Sequence, residues 1–325
     1  TPSVAMYAID SLKQLGMKFL EKSELSHFNF QSIFLIPFER IMQKSPALEI
    51  KELVLRVIDN ITQARVGNIM SGWRAIFSVY ACAGSEAVES LNILAYDAVE
   101  RIFSSHYHVA KESFVDLVNC YSSFAKNQAF LQTSCNAIKR ISLCAEKLAA
   151  DRTAAMANSD SSDKFAFTDS KADTGAWWPI LTGLANLVMD RREPVRTLSL
   201  DSLFHILAEQ GHLFSSGLWE LIFKGVLFPI FDDVRHSHME IISNSNVSGK
   251  VVMDSYTEEW LRSTCQDALN SIVSLFSKRE SFGQLQFLLS DVFQLLQNCI
   301  VHPNQLLARK GVACLKTLLG DAGNN

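Results

Sequence analysis

Apolar residues recur along this chain at relative positions 0, +5 and +8, a spacing that places three side chains on one side of a 3.6-residue helix. The phrase is clear at Ile50, Leu55, Ile58, at Val88, Ile93, Tyr96, at Val195, Leu200, Leu203 and at Leu307, Val312, Leu315. Weaker copies at Thr133, Ile138, Ile141 and at Leu261, Gln266, Leu269 fill the gaps between them. Helices are predicted over 4–21, 24–44, 48–64, 71–83, 87–104, 111–124 and 134–148, and again over 177–190, 193–209, 218–231, 258–276, 285–298 and 304–319. No alternation of period two is long enough to argue for a sheet.

The six copies begin 38, 45, 62, 66 and 46 residues apart. Two polar stretches, 151–175 and 235–256, account for the two long gaps: they are poor in aliphatic residues and cannot bury enough surface to offset their ordering entropy. Deducting about 25 and about 20 residues for them gives roughly 37 and 46, close to the ~40–47 of HEAT or armadillo units. The predicted fold class is therefore all-α, a HEAT/armadillo-like helical-repeat solenoid running as one continuous region over 1–325 with two mobile polar insertions. Lys51, Arg196 and Arg309 supply a basic residue just after an apolar position of the phrase, and Val195-Arg196 has the usual form for the second helix of a HEAT unit. Neither end reads as a polar capping repeat, so the chain is expected to be a piece of a longer protein.

Composition narrows the partners. A net charge of −4 and a pI near 6.1 provide no overall attraction for nucleic acid, and none is expected as a partner. No run approaches the ~18 apolar residues of a membrane span, and the first residues lack a signal sequence, so a soluble, cytosolic chain is predicted. Seven cysteines, odd in number and without a C-x-x-C pair, read as reduced core residues.

Chemical motifs are sparse. His236 and His238 lack a third ligand beyond the neighbouring Asp232 and Asp233, and Gly249-Lys250 has Asn244 where a phosphate loop needs glycine. His205 lies in a helix without a nucleophile elbow. No catalytic, cofactor or metal site is expected. The aromatic sets Trp73, Phe77, Tyr80 and Trp177-Trp178 suit core anchors, yet Trp73 stands at a loop-to-helix junction rich in donors. Asn68, Ser71, Trp73 and Arg74 are therefore taken as a candidate protein-interaction surface.

Two blocks then carry a resemblance. The run from Ala8-Ile9-Asp10-Ser11-Leu12-Lys13-Gln14-Leu15 through Met17-Lys18-Phe19-Leu20-Glu21-Lys22, Asn29-Phe30-Gln31 and Pro37-Phe38-Glu39 resembles a signature of the large Arf guanine nucleotide exchange factors inhibited by brefeldin A. Asn68-Ile69, Ser71-Gly72-Trp73 and Ile76-Phe77-Ser78-Val79 resemble a second segment of that family. Trp178-Pro179-Ile180-Leu181, Val195-Arg196-Thr197 and Leu307-Ala308-Arg309 continue the similarity in order. The chain departs from the family form at Gly16, at Met70 and in both polar stretches, so loop-borne partner sites are not carried over.

The resemblance implies the second and third homology regions downstream of the exchange domain. The Phe-Arg-x-Pro-Gly-Glu context of that domain's invading glutamate is absent, so no exchange activity is expected of this chain. It implies a regulatory role at trans-Golgi or endosomal membranes, contributing to autoinhibition and recruitment. The implied partners are Arf-type small GTPase in the GTP form, other domains of the parent chain and a peripheral membrane contact. A generic repeat adaptor recognising peptide motifs, and a relative whose parent lacks an exchange domain, stay open at this stage.

Overall fold

The computed structural model describes residues 2–21, 24, 29–157, 171–231, 255–277, 285–302 and 304–322. Helices account for nearly all of them, and no strand occurs among the described residues. The chain divides into two compact units, Thr1–Ile141 and Ser142–Asn325.

The first unit contains α1 (Pro2–Phe19), α2 (Phe30–Lys44), α3 (Leu48–Arg65), α4 (Gly72–Ser85), α5 (Glu89–Ser105), the single turn α6 (Tyr107–Ala110), α7 (Phe114–Lys126) and the start of α8 (Leu131–Ala157), which runs on through the boundary. Successive helices pair antiparallel, and alternate helices stack: α1, α3 and α5 form one layer, α2, α4 and α7 the other. In the second unit α9 (Lys171–Leu187) packs on α10 (Glu193–Gln210), which stacks on α13 (Cys265–Ser277) and then α15 (Gln305–Ala322). α11 (Ser216–Ile222) continues as a π turn over Phe223–Leu227, while α12 (Ser255–Ser263) leads into α13 and α14 (Leu289–Ile300) pairs with α15. Among the described residues the main helix contacts run between neighbours in sequence or one repeat away, which makes this a HEAT/armadillo-like helical-repeat fold.

Local signals explain the boundaries. Pro194 sits in the first turn of α10, where its missing N–H costs nothing. Ser215 Oγ accepts the Leu218 N–H at 3.1 Å to start α11, and Asn304 Oδ1 accepts those of Leu306 and Leu307 at 2.9 and 3.3 Å to start α15. The predicted helix over 258–276 is two helices, broken at Thr264. That over 24–44 begins only at Phe30. Of the insertion expected at 151–175, residues 151–157 continue α8 and 171–175 open α9, and 158–170 lie outside the described residues. Of the stretch 235–256, only Ser255 and Tyr256 are described, and they open α12.

Every residue of the phrase is buried in α3 and α10, but the second and last clear copies are out of phase. Ile93 is 51% exposed, and the inward face of α5 is Leu91, Asn92, Ala95, Val99 and Ile102. A polar residue, Asn92, takes an inward position, which shifts an apolar-only reading onto the wrong face. Val312 likewise points outward, and the buried basic residue of α15 is Lys310 rather than the expected Arg309.

Side-chain donors that reach the carbonyl ends of earlier helices join the repeats. The last carbonyls of an α-helix have no partner within it and need an outside donor when buried. Beyond α9, Val188 O accepts Trp260 Nε1–H at 3.0 Å and Met189 O accepts the Tyr256 hydroxyl. Arg196, 0% exposed, donates from Nη1 to Asp190 O (3.1 Å) and Arg191 O (2.9 Å). Its Nε reaches Thr264 Oγ1 at 3.2 Å, and its Nη2 reaches Glu259 Oε1 at 2.7 Å and Ser263 Oγ at 3.3 Å. All five guanidinium N–H groups are thereby used. Lys310 Nζ donates to Leu261 O and Arg262 O at the break between α12 and α13. In the first unit Asn127 Nδ2 donates to Gly84 O at 2.7 Å and Glu86 O at 2.8 Å beyond α4, and Lys51 pairs with Glu86.

Trp177 is buried and meets Phe214 edge-on at 5.0 Å. Trp178 lies over Gly225 so closely that a Cβ there would come within 2.5 Å of its ring. Both belong to the packing, as the sequence suggested.

Arg196→Ala removes the donors of several buried carbonyls at once, and we expect it to lower stability by at least about 2 kcal/mol. Lysine, with three donors on one atom, should recover only part of that. The urea midpoints of the two variants measure both effects; wild-type midpoints would show that the arginine is dispensable.

Candidate functional site

The four residues singled out at the junction of α3 and α4 differ in exposure: Asn68 and Ser71 are half-buried, Trp73 is buried and Arg74 is exposed. Asn68 closes the short turn Val66–Asn68, and its Nδ2 donates to Leu20 O at 2.8 Å and Glu21 O at 3.2 Å, the carbonyl end of α1. Its own carbonyl accepts Gln31 Nε2 at 2.8 Å, while Gln31 Oε1 accepts Met70 N–H at 2.8 Å. Ser71 is held by a buried carboxylate: its N–H donates to Glu24 Oε2 at 3.0 Å and its hydroxyl to Glu24 Oε1 at 2.8 Å. The same Oε1 accepts Gln31 N–H at 3.0 Å, and Ser71 Oγ accepts Ser32 N–H at 3.1 Å.

Trp73 corrects the expectation most directly. It is 0% exposed, stacked on Phe77 with centroids 5.6 Å apart, and it anchors the core between α2 and α4. A residue without exposed surface cannot meet a partner. The donors at this junction are polar because the turn must be tied to α1 and α2, and that internal work imitates a docking edge in the sequence. Glu24 and Gln31, the residues that tie it, were not taken as part of the candidate surface, and Gln31 entered only through the family resemblance.

Arg74 alone of the four is exposed, and it opens onto a groove of about 500 Å³ between α2, α4 and α7. Equivalent positions of three successive repeats line it, each step 42 residues: Ser32, Arg74 and Asp116; then Ile36, Ser78 and Cys120; then Glu39, Ala81 and Ser123. On α4 the lining includes Ala75, Ser78 and Ala81, small residues that lower the middle of the groove relative to its walls. The side chains of Arg74, Ser78, Asp116 and Asn119 make no hydrogen bond or ion pair among the described residues. Partial burial raises the Asp116 pKa above the usual carboxylate value, and the Arg74 charge pulls it partly back.

His205 is exposed on α10. None of the seven cysteines is in a disulfide, and five of them are buried. Burial raises the Cys120 pKa strongly and pushes that of Cys265 up to about 12, so neither is a nucleophile at neutral pH. Among the described residues no group of three or more His, Cys, Asp or Glu could hold a metal ion, and no helix is long and apolar enough to cross a membrane. His236, His238, Asp232, Asp233 and Gly249-Lys250 lie outside the described residues.

Two expectations follow. Glu24→Ala strands three hydrogen-bond donors and should cost at least about 2 kcal/mol, whereas Arg74→Ala should stay within about 0.5 kcal/mol of wild type; equal urea midpoints for the two would contradict this division. Asp116 has a raised pKa, so the folded chain binds that proton more readily than the unfolded one. Its charge therefore opposes folding above the folded pKa, and the penalty disappears as the pH falls. Asp116→Asn should raise the neutral-pH midpoint by no more than about 0.5 kcal/mol, given its partial exposure, with the gain shrinking on acidification.

Comparison with known proteins matches residues 18–101 to the family model described as "Mon2/Sec7/BIG1-like, HDS" and residues 177–319 to that described as "GBF1-like, tetratrico peptide repeat region". Brefeldin A-inhibited guanine nucleotide-exchange protein 2 of Arabidopsis thaliana is 35% identical over 98% of this chain, and protein 3 of the same plant 34% over 99%. Brefeldin A-inhibited guanine nucleotide-exchange protein 1 of Homo sapiens is 36% identical over 97%. The chain spans 19%, 19% and 16% of the length of these curated relatives. With two models matched in order and relatives aligned along almost all of it, the chain belongs to the brefeldin A-inhibited guanine nucleotide-exchange protein family, of whose members it spans a part.

Proposed function

We propose that this chain is a non-catalytic scaffold region of a large Arf exchange factor, acting over 1–325 in the regulation and recruitment of its parent at trans-Golgi or endosomal membranes. The alignment carries this reading: nearly the whole chain matches exchange proteins, yet only a 16–20% share of their length. The physical form fits the role. Within each unit stacked helix pairs hold a surface in fixed register, and several weak contacts made from one chain raise effective concentration without any single strong site.

The partners in this reading are Arf-type GTPase in its GTP form, other domains of the parent chain and a peripheral contact with the bilayer. No cofactor enters it. Recruitment then depends on the nucleotide of a membrane-anchored GTPase, and release follows hydrolysis because each contact alone is weak.

Flotation of the chain with Golgi-like liposomes carrying lipidated Arf tests the proposal. Flotation is expected with GTP-loaded Arf and lost with GDP-loaded Arf. Flotation under neither nucleotide would remove GTPase-dependent recruitment and leave contact with other domains of the parent as the role of this region.

A further inference from the structure

The groove between α2, α4 and α7 is built to receive a chain rather than a small molecule. Three successive repeats contribute matching positions, so its length follows the axis of α4; from Arg74 to Ala81 that is about 10 Å at 1.5 Å per residue. A volume of about 500 Å³ over that length suits an extended strand of a few residues better than a helix, whose own diameter is about 10 Å before its side chains are fitted against walls.

The lining discriminates the same way. Half-buried Ser78 and exposed Asn119 present a hydroxyl and an amide that no other described residue satisfies. A helix has paired its interior backbone and could meet such groups only with side chains or its ends. An extended segment has free N–H and C=O groups at regular intervals, and buried backbone groups require partners. The small residues Ala75, Ser78 and Ala81 let that backbone approach α4 closely.

Charge sets the side chain it carries. Arg74 and Asp116 sit at one end and offset each other, while Glu39 stands at the other end, where its carboxylate accepts only an amide, from Gln43 at 3.1 Å. The groove thus has an excess of one negative charge, located at the Glu39 end. We infer that this groove binds a short extended peptide segment of a partner protein, with its backbone on Ser78 and Asn119 and a lysine or arginine meeting Glu39. This site is independent of the GTPase reading: peptide capture and nucleotide-dependent flotation can each succeed or fail without the other.

An oriented hexapeptide library with one fixed residue, lysine, arginine, glutamate or alanine, applied to the whole 325-residue chain, tests it. Peptides with the fixed basic residue should be enriched and bind with a measurable Kd by fluorescence anisotropy. Ser78→Leu, which fills the floor, and Asn119→Ala should each weaken the selected peptide at least about tenfold. Glu39→Lys should reject it and shift the library's preference to the fixed glutamate. All three positions lie outside the fully buried core, and circular dichroism melting curves confirm that each variant is folded before it is compared. Absence of any enrichment, selection of peptides that are helical when bound, or a basic preference that survives Glu39→Lys would each overturn the assignment.

Discussion

A helix end that is buried must find donors for its last carbonyls, and this constraint organises both units. Stacking one helix pair on the next puts each such end beneath its neighbour, away from water. The structure meets the need with long polar side chains from the following repeat. Asn68 reaches the end of α1, Asn127 that of α4, Lys310 that of α12, and Arg196 with Tyr256 and Trp260 completes the end of α9. Apolar packing supplies the bulk of the stabilisation, since the aromatic chain Trp177, Phe214, Trp219, Phe223 and Phe276 alone spans much of the second unit's interior. Packing is nevertheless tolerant of sliding along a helix. A hydrogen bond to a particular carbonyl is not, so these few donors fix the register at which repeats stack.

That division explains how much could be read without coordinates. The repeat, the all-α class and most helices follow from apolar spacing, because burial of one face is a property of each helix by itself. Phase was misread where a polar residue faces inward, as Asn92 does at 1% exposure, or where apolar residues flank the buried stripe on both sides, as around Val312. The π turn over Phe223–Leu227 did carry a signal, Gly225 within it and Pro229 just after it, whereas the break at Thr264 is marked only by the weaker helix formers Ser263 and Thr264. The basic residue of the repeat was found at Lys51 and Arg196 but missed by one position at Lys310, because Arg309 and Lys310 are indistinguishable until the direction of each side chain is known.

Of the four residues of the candidate surface, Arg74 is exposed, Asn68 and Ser71 are half-buried and Trp73 is covered. Polar side chains crowded at a loop-to-helix junction look alike whether they face a partner or a neighbouring helix. Only coordinates separate Arg74, which is exposed, from Asn68 and Ser71, which are engaged internally, and from Trp73, which is covered. The groove itself was invisible for a different reason. Its lining comes from positions 42 residues apart on α2, α4 and α7, the helices between the ones that carry the apolar phrase. Reading the repeat on one layer drew attention away from the layer that holds open space.

The joins between repeats also distribute mutational tolerance unevenly. Each pairs a specific side chain with a main-chain oxygen, and a main-chain oxygen is supplied equally by almost any residue. Val188, Met189 and Arg191 can therefore change identity without disturbing the bonds they accept, whereas Trp260, Tyr256 and Arg196 cannot be exchanged for residues with fewer or shorter donors. As far as these bonds are concerned, identity is constrained on the donating side alone, and the accepting residues answer only to the packing around them, as buried Val188 and Gly84 do.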